Sequence, residues 1–69
     1  MQAMPTIARP PSHEVERLIL RAHDAVNKNL VIEVEGLLRQ ASQKEPSILQ
    51  KREIDRLWIE WLVPRLDNI

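Results

Sequence analysis

The sequence predicts an all-α fold: a small three-helix bundle, or a helical hairpin, completed by dimerisation. Three observations carry this. Apolar residues recur with a helical period in three separate stretches. Between those stretches stand "NKN" at residues 27–29 and "EPS" at residues 45–47, both rich in turn-forming side chains. The chain has 69 residues and no cysteine, so one modest core must hold it without disulfides, and a second chain is the obvious supplement.

Residues 1–11 hold Pro5, Pro10 and Pro11 and no apolar period, which predicts a flexible N-terminal arm ahead of a helical domain over 12–69. Ser12 is placed to cap a first helix, with Glu14 and Glu16 in the first turn, where the helix dipole favours anions. Val15, Leu18, Ile19, Ala22, Ala25 and Val26 then share one face of a helix over about 13–27; Leu20 falls off that face. Continuing the same phase would set Glu33 in the apolar stripe. A break is therefore expected at the asparagines, which tolerate left-handed backbone; a single irregular helix over 13–43 is the alternative.

A new phase begins with Leu30, Val31, Val34, Leu37, Leu38 and Ala41, predicting a second helix over about 30–43, with Ile32 off its apolar face. "LVIEVE" alternates as a strand does and is rich in β-branched residues, but the stripe persists to Ala41, too far for a typical strand. Gly36 lies inside this helix, where it either permits close helix approach or simply costs stability. Pro46 disfavours helical geometry at Glu45. Ser47 and Gln50 have the spacing of a capping box, so a third helix is expected over about 48–63, stopped by Pro64.

That third helix carries more apolar surface than one buried face requires. In "LWIEWLV", residues 57–63, only Glu60 interrupts. Ile54, Leu57, Trp58, Trp61 and Leu62 form the core-facing arc, so truncating Trp61 is expected to unfold the chain. Ile59 and Val63 lie nearly opposite, with Leu49 near them and Arg52 and Arg56 alongside. Arginine beside apolar side chains is the composition of interface anchors, so Leu49, Arg52, Arg56, Ile59 and Val63 are the expected partner-binding residues. The competing arrangement buries the helix on all sides under the other two helices and the tail "RLDNI", but so small a bundle does not easily surround a helix.

Several function classes fall away. Ten acidic residues balance ten basic ones, leaving no excess positive field to gather nucleic acid or anionic lipid. No apolar run approaches the roughly 18 residues of a membrane span, and the N-terminal residues lack the apolar core of a signal peptide. With no cysteine to demand an oxidising compartment, the expected location is the cytoplasm. Ser12, Ser42 and Ser47 sit at helix ends, where capping accounts for them, and no base and acid stand ready to make a triad. "HEVER" at His13 lacks a second histidine four residues on, so the zinc-protease geometry fails. His23 and Glu16 would make at most a two-ligand site. One glycine cannot form a phosphate loop. No catalytic, metal or cofactor site is expected. Glu35 with Arg39 and Lys51 with Asp55 have the i,i+4 spacing of a solvated helix face.

The expectation is a non-enzymatic helical protein–protein interaction module, a homodimer that binds and modulates a larger protein as a small inhibitor, an antitoxin-like regulator or a co-chaperone. The alternative is a small dimeric DNA-binding transcriptional regulator whose last helix offers Gln50, Lys51, Arg52 and Arg56 to a groove. Against it stand a proline rather than a glycine in the turn and a net charge of zero.

Overall fold

The computed structural model describes residues 11–67. Among them there is no strand; three helices pack on one core. Helix α1 is His13–Asn27 and α2 is Val31–Gln43. Helix α3 occupies residues 48–66 as one continuous rod of three segments: Ile48–Arg56 is α-helical, Leu57–Leu62 is π-helical and Val63–Leu66 closes it as an α turn. The expected arm lies outside the described residues except for Pro11, which is exposed and non-helical, and so do Asn68 and Ile69 of the tail.

Local chemistry sets the boundaries. The Ser12 side chain accepts the N–H of Val15 at 3.3 Å, capping α1. At its other end Asn29 adopts φ 59°. The Leu30 N–H then bonds the Ala25 carbonyl at 2.9 Å and the Asn29 N–H bonds that of Val26 at 3.0 Å, the Schellman closure that a left-handed residue makes available. Leu30 itself is the residue before α2 rather than its first turn, its ψ of 85° being far from helical. Glu45 also takes a positive φ, 57°, consistent with the exclusion of right-handed helical geometry before Pro46.

The connection of α1 to α2 makes an antiparallel hairpin, and α3 lies across it parallel to α1. Gln50, early in α3, meets Ser12 and Glu16, while Glu53, further along, meets His23. The core takes Val15, Leu18, Ile19, Ala22 and Ala25 from α1, Val34, Leu37, Leu38 and Ala41 from α2, and Ile54 and Leu62 from α3. Val26, Val31, Leu57, Trp58, Trp61 and Leu66 pack around its margin.

The expected stop at Pro64 does not occur; the helical rod continues to Leu66. The reason is the wide turn before it. The Val63 N–H bonds the carbonyl of Trp58, five residues back, so one residue more than an α-helix would hold is accommodated. Pro64 then falls in the first turn of the closing α segment, where its missing N–H is tolerated.

The extra residue also resets the phase of the core stripe. In a regular α-helix, at about 100° per residue, Trp61 would point into the core and Leu62 would stand about 100° away from it. The π turn sets later residues back by about one position. Leu62 consequently takes the central place, fully buried at 0% exposure, Leu66 follows it onto the core, and Trp61 is turned to a half-buried position at the margin. There the Arg65 guanidinium stacks over its ring at 4.1 Å.

Gly36 does not mediate close helix approach: a β-carbon there would have no neighbour within 4 Å. Its backbone φ is not positive, so glycine only lowers helix propensity. Gly36→Ala is expected to stabilise the fold by about 0.5–1 kcal/mol, read as a higher denaturant midpoint with unchanged slope; a lower midpoint would show that this part of α2 needs glycine.

Candidate protein-interaction surface

The position of α3 is fixed at its first turn. Ser47 and Gln50 form the reciprocal capping box: the Gln50 N–H donates to the Ser47 hydroxyl at 3.2 Å and the Ser47 N–H donates to Gln50 Oε1 at 3.0 Å. The same Gln50 amide reaches α1. Its Oε1 accepts the Ser12 N–H at 3.2 Å. Its Nε2 donates to the Ser12 carbonyl at 3.0 Å and to Glu16 Oε1 at 3.3 Å. Gln50 is buried, so one side chain satisfies the beginnings of two helices and ties them together. Further along, His23 Nε2 lies 2.9 Å from Glu53 Oε2. On the α2 side Arg39 stands over the Trp58 ring at 5.6 Å. These contacts settle which side of α3 faces inward.

The opposite side faces solvent. Leu49 is 73% exposed and Ile59 is 65% exposed. Arg52 is exposed and makes no ion pair with any described residue. Arg56 is exposed and lies 3.6 Å from both Glu53 and Glu60, weak surface pairs that leave its guanidinium available. Val63 differs from expectation. It is half-buried, because the π turn rotates it from the outer strip toward the flank of the core. Sequence reasoning missed Ile48, which is 60% exposed; its signal was its place one turn before Arg52. The outer face therefore offers Ile48, Leu49, Arg52, Arg56 and Ile59, with Val63 at its edge.

Exposed aliphatics also occur elsewhere. Ile32 is 83% exposed, Leu20 60% and Leu30 41%; Leu20 and Ile32 lie off the apolar stripes of their helices, and Leu30, expected on the stripe, stands outside it because it precedes the first turn of α2. Exposed aliphatics are ordinary on a protein surface; those on α3 differ in sharing one helix face beside arginines.

The helix–turn–helix alternative places Lys51, Arg52 and Arg56 outward, but not Gln50, whose amide is consumed by the link to α1. Glu35 pairs with Arg39 at 2.9 Å and Lys51 with Asp55 at 3.9 Å, both on exposed faces. His23 pairs with Glu53 rather than with Glu16. Among the described residues no three His, Asp or Glu side chains gather as a metal-holding group, and no helix is long and apolar enough to cross a membrane. Comparison with known protein families, curated proteins and solved structures finds no match.

Proposed function

We propose that the chain is a non-enzymatic protein–protein interaction module that works through the outward face of α3 and, through it, modulates a larger protein. The observation that supports this most is the exposure of Ile48, Leu49 and Ile59 along one helix face beside Arg52 and Arg56. Aliphatic side chains held in water by a rigid helix lose that unfavourable hydration when a partner covers them. Arginine supplies directional donors at the rim with little desolvation cost. An amphipathic helix docked against a groove is a recurrent mode of recognition, read as anchors at helical spacing.

The test is affinity capture with mass spectrometry, using the wild-type chain and a Leu49→Glu/Ile59→Glu variant side by side. Neither residue belongs to the core, so circular dichroism of the variant should match wild type. One protein recovered in stoichiometric amount by wild type and lost by the variant is the expected result. Recovery of DNA with no protein, with affinity falling steeply as salt rises, would replace this reading with the transcriptional-regulator one.

A further inference from the structure

The outward strip of α3 has an order that names its occupant. Ile48, Arg52, Asp55 and Ile59 recur at intervals of four, three and four residues. At about 100° per residue they fall within roughly 60° of one another, a single stripe. All four are exposed. Read from the N-terminus, the stripe runs aliphatic, cation, anion, aliphatic; read from the C-terminus, it runs aliphatic, anion, cation, aliphatic. Two such stripes laid antiparallel therefore match at every position. Ile48 meets Ile59, Arg52 meets Asp55, and the two remaining contacts repeat these by symmetry. A parallel pairing would set Arg52 on Arg52 and Asp55 on Asp55. The four-three-four spacing is also that of helices packing side by side at a shallow angle.

We infer that a second copy of this chain docks here, antiparallel along α3, with the two-fold axis passing between Glu53 and Ile54. This rests on the reading of the α3 face as an interaction surface and specifies what covers it. Charge complementarity is the deciding feature. Arg52 has no ion partner among the described residues, and Asp55 has only Lys51, at the long distance of 3.9 Å, with more than half of its side chain exposed. In the dimer each gains an opposite charge, and the isoleucines at either end exclude water from the pair. An isologous contact of this kind closes after two copies. The stripe spans about 17 Å of helix, so the contact is small and the dimer is a weak one, forming in the micromolar range or above. A larger protein that uses the same strip must displace the second copy, so the self-paired and partner-bound forms exclude each other.

The experiment is a charge-exchange mixture. Arg52→Asp leaves two anions on the stripe and Asp55→Arg leaves two cations, so each variant repels a copy of itself. Mixed together, each anion of one meets a cation of the other. Sedimentation or light scattering over tens to hundreds of micromolar should give a mass rising from 8.1 kDa toward twice that value for wild type. Each variant alone should stay at 8.1 kDa, and their equimolar mixture should rise as wild type does. Register is tested separately, because the chain contains no cysteine. Ile48→Cys mixed with Ile59→Cys should form a disulfide-linked pair in high yield under mild oxidation, whereas Ile48→Cys alone, its thiols about 17 Å apart across the axis, should not. A wild type fixed at 8.1 kDa, a mixture no larger than its components, or efficient linkage of Ile48→Cys to itself would each overturn the antiparallel dimer. None of those results touches the capture experiment above. There, loss of the partner on changing Leu49 and Ile59 keeps the face as an interaction surface for a different protein, and retention of the partner removes that reading too.

Discussion

Leu62→Ala is expected to unfold the protein, while Trp61→Ala leaves it folded. Leu62 is fully buried at 0% exposure among side chains from all three helices. Truncating such a leucine costs about 2–5 kcal/mol, including the cavity left behind, which is comparable with the whole stability of a domain this small. Trp61 is half-buried and holds the Arg65 guanidinium over its ring. Its loss removes marginal packing and a cation–π contact contributing roughly 0.5–1 kcal/mol, so about 1–2 kcal/mol is the expected total. Thermal unfolding followed by circular dichroism checks the order. Trp61→Ala should show a cooperative transition at lowered temperature, and Leu62→Ala none above room temperature. A regular α-helix through residues 57–62 demands the reverse order, because Trp61 would then fill the core. The reverse result would therefore exclude the π turn.

The second large effect is expected at Gln50. Gln50→Ala strands the N–H groups of Ser12 and Ser47, which its amide now satisfies, and removes one of two bonds to the Ser12 carbonyl, which keeps the Glu16 N–H. Leaving a buried polar group unpaired costs about 1–3 kcal/mol. Ser12 is only half-buried, so water recovers part of that, and a net loss of about 2–3 kcal/mol follows. For a domain of this length that lowers the melting temperature by roughly 10–20 °C. Gln50→Glu separates hydrogen bonding from size. It keeps the acceptor toward both N–H groups, but it replaces the donor with an oxygen facing the Ser12 carbonyl and the Glu16 carboxylate. It should destabilise as well, despite nearly identical shape. A Gln50→Glu variant as stable as wild type would show that only the acceptor side of the amide matters.

What could be read from the sequence was what depends on neighbours along the chain. Ser12 as a cap, Ser47 with Gln50 as a box, the break at the asparagines and the apolar stripes of α1 and α2 are all fixed within four or five residues. Their physics is therefore visible in the order of residues. The link from Gln50 to Ser12 and Glu16 spans 38 and 34 positions; nothing in the local pattern announces that a capping side chain will serve a second helix. The third helix was misphased for a different reason. Ile54, Trp58, Leu62 and Leu66 recur every four residues, a column that drifts by about 40° per step in an α-helix. At the ordinary pitch the sequence favours Trp61, whereas the wide turn lets the four-residue column stay in line. On the candidate surface, Leu49, Arg52, Arg56 and Ile59 were legible because most of them precede the wide turn or begin it. Val63 follows the turn and was displaced with everything beyond it.

The wide turn in α3 bears on how the chain's length can change over generations. Losing one residue from a helix ordinarily turns everything beyond it by about 100° and ruins the buried face. Between Leu57 and Trp61 the rod already holds one residue more than a regular helix of the same phase. Deleting Ile59 or Glu60 would leave Leu62 and Leu66 aligned with Ile54, at ordinary pitch and with the same core. The cost falls on Pro64: with the bulge gone its ring would press on the carbonyl four residues earlier, as proline does inside any regular helix. The surplus residue and the proline are therefore tied to each other. A lineage that sheds the first comes under pressure to replace the second, and one that keeps Pro64 has reason to keep the residue that makes room for it.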